Sequence, residues 1–245
     1  IYPTTDNVGG EQVVYIDNIQ IEAAPKVGEA LLGSISEGSL GGNIKLTGAW
    51  LKGECQNADG DWQKVEYNDF ATLAGKLNSG ITSIDMRGIT TKDVDVNAMR
   101  GEHSNVLVFA DEAYNANNIV ANGNCANLVL TNTQPFATPE DFNAANVSIT
   151  RHVYAGNNTL CLPFYVSMED LGAQTIATYT GNEEKDGNTI INFDKKSHVD
   201  ANIPFIAQFD EANAKETLTF ANKGVVNTPA DMGNPFTGTY TPGSA

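Results

Sequence analysis

Along the first 25 residues, Val14, Ile16, Ile19 and Ile21 stand among polar neighbours and run into Ala23-Ala24-Pro25, which reads as one strand followed by a linker. Gly33, Gly38, Gly41 and Gly42 then punctuate short apolar runs such as Ile44-Lys45-Leu46, predicting short strands and turns. One amphipathic helix stands out. Asn68-Asp69 can cap it, Phe70, Leu73, Ala74 and Leu77 fall at i, i+3, i+4 and i+7, and Asn78-Ser79-Gly80 stops it. From Ile81 to Met86 the period changes to two, so the helix hands over directly to a strand.

That strand has echoes. Ser83-Ile84-Asp85-Met86, Asn105-Val106-Leu107-Val108 and Asn127-Leu128-Val129-Leu130 each put a small polar residue before apolar ones, and they begin 22 residues apart. Repeats in the low twenties are used by leucine-rich repeats and related solenoids, where each coil lays one strand beside the last. The full leucine-rich consensus is missing. On this reading Asp93-x-Asp95 and the segment 114–118 are turns between strands.

After Pro135-Phe136 and Pro139 the pattern shifts to strand-like runs at 146–154, 158–166, 175–180, 189–193, 203–209, 216–221 and 224–227. Gly156, Gly172, Asp186-Gly187 and the segment 200–202 separate them, the spacing of an antiparallel sandwich or barrel. The expected fold is therefore mainly β. Residues 1–25 are a strand remnant of an upstream module plus linker, 26–134 a short leucine-rich-repeat-like or β-solenoid segment with one amphipathic helix, and 135–245 an antiparallel β-sandwich. The chain starts at Ile1, and the strand-like Phe236–Tyr240 stands close to its end, so both ends read as cuts in a longer parent.

Charge narrows the partners. Fourteen Lys+Arg against thirty Asp+Glu give a formal net charge of −16, which repels phosphate backbones and anionic membranes, so nucleic acid is not the expected partner. No window holds the roughly 18 consecutive apolar residues of a membrane-spanning helix, and no membrane insertion by this segment is expected.

Cys55, Cys125 and Cys161 are far apart, with no C-x-x-C and no histidine at zinc-finger spacing, so neither a metal site nor a cofactor is expected. Their odd number leaves open one disulfide with a free thiol or three buried thiols. Asn57-Ala58-Asp59-Gly60-Asp61 offers oxygen ligands at calcium-loop spacing, but Trp62 takes the position that needs glycine and Asn68 the one that needs glutamate. A tight turn at Asp59-Gly60 is the simpler reading.

No G-x-S-x-G elbow, H-E-x-x-H pair or phosphate loop is present, and His103, His152 and His198 share no spacing, so no catalytic residues are assigned. A glycosidase needs only two carboxylates that no local motif announces, and part of a glycoside hydrolase is the least favoured class. Trp50, Trp62 and Tyr67 are the candidate ligand-binding residues, because aromatic faces stack on sugar rings; core or hairpin packing is their competing role.

Tyr15-Ile16-Asp17-Asn18-Ile19-Gln20-Ile21 resembles the last strand of jelly-roll carbohydrate-binding modules. Ile81–Met86, Asn127–Thr131 with Pro135-Phe136, Phe142-x-Ala144, Thr150-Arg151 and above all Gly156–Phe164, ending in Cys161-Leu162-Pro163-Phe164, resemble a module pair of large surface proteins of Bacteroidetes-type gut bacteria. The resemblance covers roughly residues 40 to 240 and transfers no catalytic residues. It implies export to the cell surface or beyond, a multi-domain parent, and Cys161 as a buried strand residue. The expected function is a non-catalytic structural or adhesive module whose partner is a glycan or a host or bacterial surface protein. A carbohydrate-binding module is the alternative.

Overall fold

The computed structural model describes residues 40–45, 54–56, 62–64, 73–88, 95–229 and 240. The fold is mainly β, as the alternating pattern predicts. In chain order the strands are β1 (Leu40–Lys45), β2 (Glu54–Gln56), β3 (Trp62–Lys64), β4 (Leu77–Asp85), β5 (Leu107–Ala110), β6 (Ile119–Ala121), β7 (Asn124–Thr131) and β8 (Phe142–Val153). They continue with β9 (Gly156–Leu160), β10 (Val166–Ser167), β11 (Thr175–Lys185), β12 (Asn188–Lys196), β13 (His198–Val199), β14 (Phe205–Phe209) and β15 (Lys215–Val225). Short helices interrupt them, among them α1 (Val96–Arg100), capped by Asp95, and α2 (Met168–Leu171), entered through a Ser167/Asp170 capping box.

A seven-stranded sheet runs in the order β1-β4-β5-β6-β7-β8-β15, and a four-stranded antiparallel sheet in the order β12-β11-β14-β9. Strand β5 shows how the larger sheet is held. All four of its residues are buried, and period-two alternation sends Leu107 and Phe109 into one apolar cluster and Val108 and Ala110 into another. The second cluster joins them to Ile81, Ile84 and Met86 from β4 and its exit and to Val96 and Met99 of α1. The first cluster joins the larger sheet to the smaller one, through Leu128, Val147, Ile149 and Leu218 on one side and Leu160, Ile176, Phe205 and Ala207 on the other.

Three adjacent strands break their alternation together. Buried positions change parity between Cys125 and Leu128 in β7, between Ala144 and Val147 in β8, and between Phe220 and Val225 in β15. The pairing stays in step across the break, with Cys125 opposite Ala144 and Leu128 opposite Val147, because the strands shift as a set. Asn222, at φ 54° in the left-handed region that asparagine tolerates, takes up the change in β15.

Several elements differ from the sequence expectation. Leu73 and Ala74 are helical, but Leu77 opens β4 opposite Leu40, so Asn78–Gly80 belong to the strand; residues 68–70 lie outside the described residues. The 22-residue echo meets a different register. Ser83 pairs with Leu107, 24 residues on, and β7, which carries the third echo, pairs antiparallel to β6. The reversal comes from Asn122-Gly123, whose φ values of 50° and 72° make a two-residue turn of the I′ kind. The run 158–166 stops at Leu160, ahead of Pro163, and the two expected strands over 216–227 form the single strand β15. Strands β2 and β3 pair antiparallel, while residues 57–61 between them lie outside the described residues.

Candidate functional site

Trp62 sits in β3 opposite Gln56, but its side chain, like Trp50 and Tyr67 altogether, lies outside the described residues. The histidines occupy separate places. His103 is half-buried in a turn, and exposed His152 stacks on Tyr154 at 3.9 Å between ring centroids and reaches Glu216 at 2.5 Å. His198 stacks on exposed Tyr165 at 5.2 Å. Among the described residues no group of three His, Cys, Asp or Glu side chains is placed to hold a metal ion.

A cleft of about 560 Å³ lies where the two sheets part and combines apolar, charged and hydrogen-bonding side chains. Its apolar walls come from the ends of inward rows: Leu130 of β7, Ile149 of β8, and Leu162-Pro163 beyond β9. Phe136 closes one side, edge-on to Tyr240 at 5.9 Å. The rim is polar, formed by Asn132, Thr133 and Gln134 where the chain leaves β7. Into it also project Arg151, Cys161 and Tyr240.

Two buried asparagines build the floor from which this rim rises. Asn105 accepts from the Thr131 N–H at 2.7 Å and donates to the Thr131 and Gln134 carbonyls at 2.8 and 2.9 Å. Asn118, fully buried at φ 61°, accepts from the Val129 N–H at 2.6 Å and donates to the Val129 and Ser104 carbonyls at 2.9 and 2.8 Å. Short β6 leaves this edge of β7 without a backbone partner over residues 129–131, and side-chain amides, each with a donor and an acceptor, supply the missing rungs.

Arg151 is the unusual member of the cleft. It occupies the inward row of β8, in series with buried Val147, Ile149 and Val153, where an apolar residue is expected. Its Nη2 donates across to the Thr159 carbonyl of β9 at 2.6 Å, and among the described residues no carboxylate pairs with it. Burial lowers its pKa from the ordinary arginine value, and a guanidinium remains charged regardless.

Cys161 is not a strand residue. It follows β9, half-buried, and shares a 3.6 Å contact with the Tyr240 hydroxyl, which itself donates to Asn202 at 2.9 Å. Burial raises the pKa of both the thiol and the phenol. Cys125, buried in β7, is pushed up to about 11 by the same cause. Both cysteines are free thiols. The cleft thus holds fixed-charge and neutral hydrogen-bonding groups near pH 7, an arrangement suited to holding a polar ligand.

The alternation of β8 carries a sequence signal for this site. An arginine in phase with Val147, Ile149 and Val153 marks an inward charge. No family model, curated protein or solved structure matches the chain. Among the described residues no helix is long and apolar enough to cross a membrane.

Proposed function

We propose that this chain is a non-catalytic structural or adhesive module of a multi-domain bacterial protein exported to the cell surface or beyond. The supporting observation is how its buried polar groups are used. Asn105 and Asn118 direct their amides to strand rungs, and the cleft groups Arg151, Cys161 and Tyr240 keep one protonation state around neutrality. Acid–base catalysis works best with a group poised near the operating pH. Purified chain incubated with a panel of nitrophenyl glycosides and esters should release no nitrophenol above buffer. Release that disappears in the Arg151→Met variant would sink this reading.

A carbohydrate-binding module is the second reading. It is favoured by the cleft and by Tyr154, an aromatic side chain 64% exposed and stacked on His152. Saturable binding of neutral or acidic oligosaccharides by calorimetry supports it, and none across a broad glycan panel removes it.

A further inference from the structure

We propose that the cleft between the sheets is a binding site for a sugar acid, with Arg151 receiving the carboxylate. The inference rests on the carbohydrate-binding reading and names its ligand class.

The charge of Arg151 is out of balance with its surroundings. A cation on the inward row of a strand loses hydration, and this loss is offset only when charge and hydrogen bonds replace the water. Arg151 carries five N–H donors, yet among the described residues its side chain has one neutral acceptor, the Thr159 carbonyl. That bond holds the guanidinium across the gap between β8 and β9 while leaving donors for a second acceptor. A carboxylate matches the guanidinium fork with two parallel hydrogen bonds and supplies the missing negative charge. The chain's net charge of −16 repels anions in general, so an anion held here is held by local geometry.

The remaining walls describe the rest of the ligand. Phe136, Leu162 and Pro163 give an apolar surface for the C–H face of a ring. The rim adds the Thr133 hydroxyl, which shares a 2.9 Å hydrogen bond with the Thr131 hydroxyl, and the Asn132 amide, which makes no side-chain hydrogen bond among the described residues and is free to meet ligand hydroxyls. A cleft of about 560 Å³ lies within the range of small-ligand sites and suits one or two sugar rings. A carboxylate for the guanidinium, an apolar ring face and hydroxyls for the rim together define a hexuronic acid or a close relative.

The test is calorimetric titration of the folded chain with D-glucuronate, D-glucose and cyclohexanecarboxylate. Saturable glucuronate binding is expected, with the other two at least about tenfold weaker, the loss corresponding to one charged hydrogen-bonded contact or to the rim hydroxyl contacts. Arg151→Met should lose glucuronate at least about tenfold while the thermal midpoint stays nearly level, since a half-buried cation with no carboxylate partner among the described residues is replaced by an apolar side chain of similar length. Arg151→Lys keeps the charge without the fork and should fall between. Exposed Asn132→Ala should weaken glucuronate a few-fold and leave folding alone, so the test survives if the arginine variants do not fold.

Absent glucuronate binding, equal affinity for glucose, or equal or tighter cyclohexanecarboxylate binding overturns the inference. Unchanged glucuronate affinity in Arg151→Met, or in Asn132→Ala where the arginine variants fail to fold, does the same. If neutral oligosaccharides bind while glucuronate does not, this inference fails and the carbohydrate-binding reading stands.

Discussion

Strand β5 and the outer half of the β11–β12 hairpin are both regular β-structure, yet they are stabilised by opposite means. Each β5 residue is buried, with one face in each apolar cluster and a parallel neighbour on either side. In the hairpin, β14 pairs only with residues 175–178 of β11, and none of residues 182–189 is buried. Its geometry comes from the two-residue Asp186-Gly187 turn, with φ values of 53° and 75°, and from cross-strand pairs such as Tyr179 with Phe193. The first kind of strand is fixed by what surrounds it and the second by its own turn. Substitutions should therefore be felt globally in β5 and locally in the hairpin.

The largest effect is expected at Phe109. Its ring is among the large fully buried side chains and also lies under Arg87, 5.4 Å from the guanidinium. Phe109→Ala should cost about 3–5 kcal/mol, the range for deleting a buried aromatic ring, measured as a lower urea midpoint. A loss under about 1 kcal/mol would show that the two clusters do not depend on β5.

Asn118→Ala comes next. Removing the buried amide takes the side-chain partner from the Val129 N–H and from the partly buried Val129 and Ser104 carbonyls, at a cost of about 3 kcal/mol in urea denaturation. Asn118→Asp separates donor from acceptor, because the carboxylate still accepts from Val129 but faces the Ser104 and Val129 carbonyls without a hydrogen to give. It should be no better than alanine at neutral pH.

These two residues also show what could be read in advance. The strand that carries Phe109 was legible through Asn105–Val108, because an apolar run that echoes Ser83–Met86 is a local property. The role of Asn118 was not, since its bonds depend on where β7 returns beside it, which no local pattern states. The direction of β7 could have been found: Asn122-Gly123 between Ile119-Val120-Ala121 and Cys125–Leu130 is a two-residue hairpin signal, and it conflicts with a repeat that lays every strand parallel. The cleft escaped for the same reason as Asn118. The lining runs from Asn105 through Arg151 to Tyr240 and meets only after both sheets form, whereas Trp50, Trp62 and Tyr67 stand out because they lie close together in sequence.

The two turns allow a matched comparison. Gly123 and Gly187 both have positive φ and nothing within 4 Å of an added Cβ, so alanine introduces backbone strain without a clash, about 1–2 kcal/mol at either turn. At 123 the strain falls between β6 and β7 inside the larger sheet, so it should lower the global unfolding midpoint. At 187 it should appear instead as faster amide hydrogen exchange confined to residues 179–193, with the midpoint nearly unchanged. Equal shifts in the midpoint would erase the distinction between the two kinds of strand.

Acidity sharpens the contrast on the side of the larger sheet, where β15 meets α2. Burial alone would raise the Asp170 pKa, but the Lys223 ammonium of β15 at 2.8 Å and the Ser167 backbone and hydroxyl groups hold it below the ordinary 3.8. A depressed carboxylate adds stability above its unfolded pKa and loses it as pH falls through the folded one. Asp170→Asn should therefore lower stability by about 0.5–1 kcal/mol at pH 7, chiefly through the capping box, and by less in strong acid. Paired denaturation curves at pH 7 and pH 2 check the sign; a penalty that grows in acid would contradict it.

Ile191 should give the smallest effect. It is 49% exposed on β12, opposite Asn182, and a large apolar side chain left half in water contributes little by burial. Ile191→Thr keeps the β-branched shape that suits a strand and removes only apolar surface, so the global midpoint should move by less than about 0.5 kcal/mol. Because the hairpin is fixed by its turn and cross-strand pairs, this substitution should also leave the slowly exchanging amides of β5 and β7 untouched. A midpoint shift as large as that of Asn118→Ala would mean that the outer hairpin is coupled to the buried sheet and is not a separately stabilised arm.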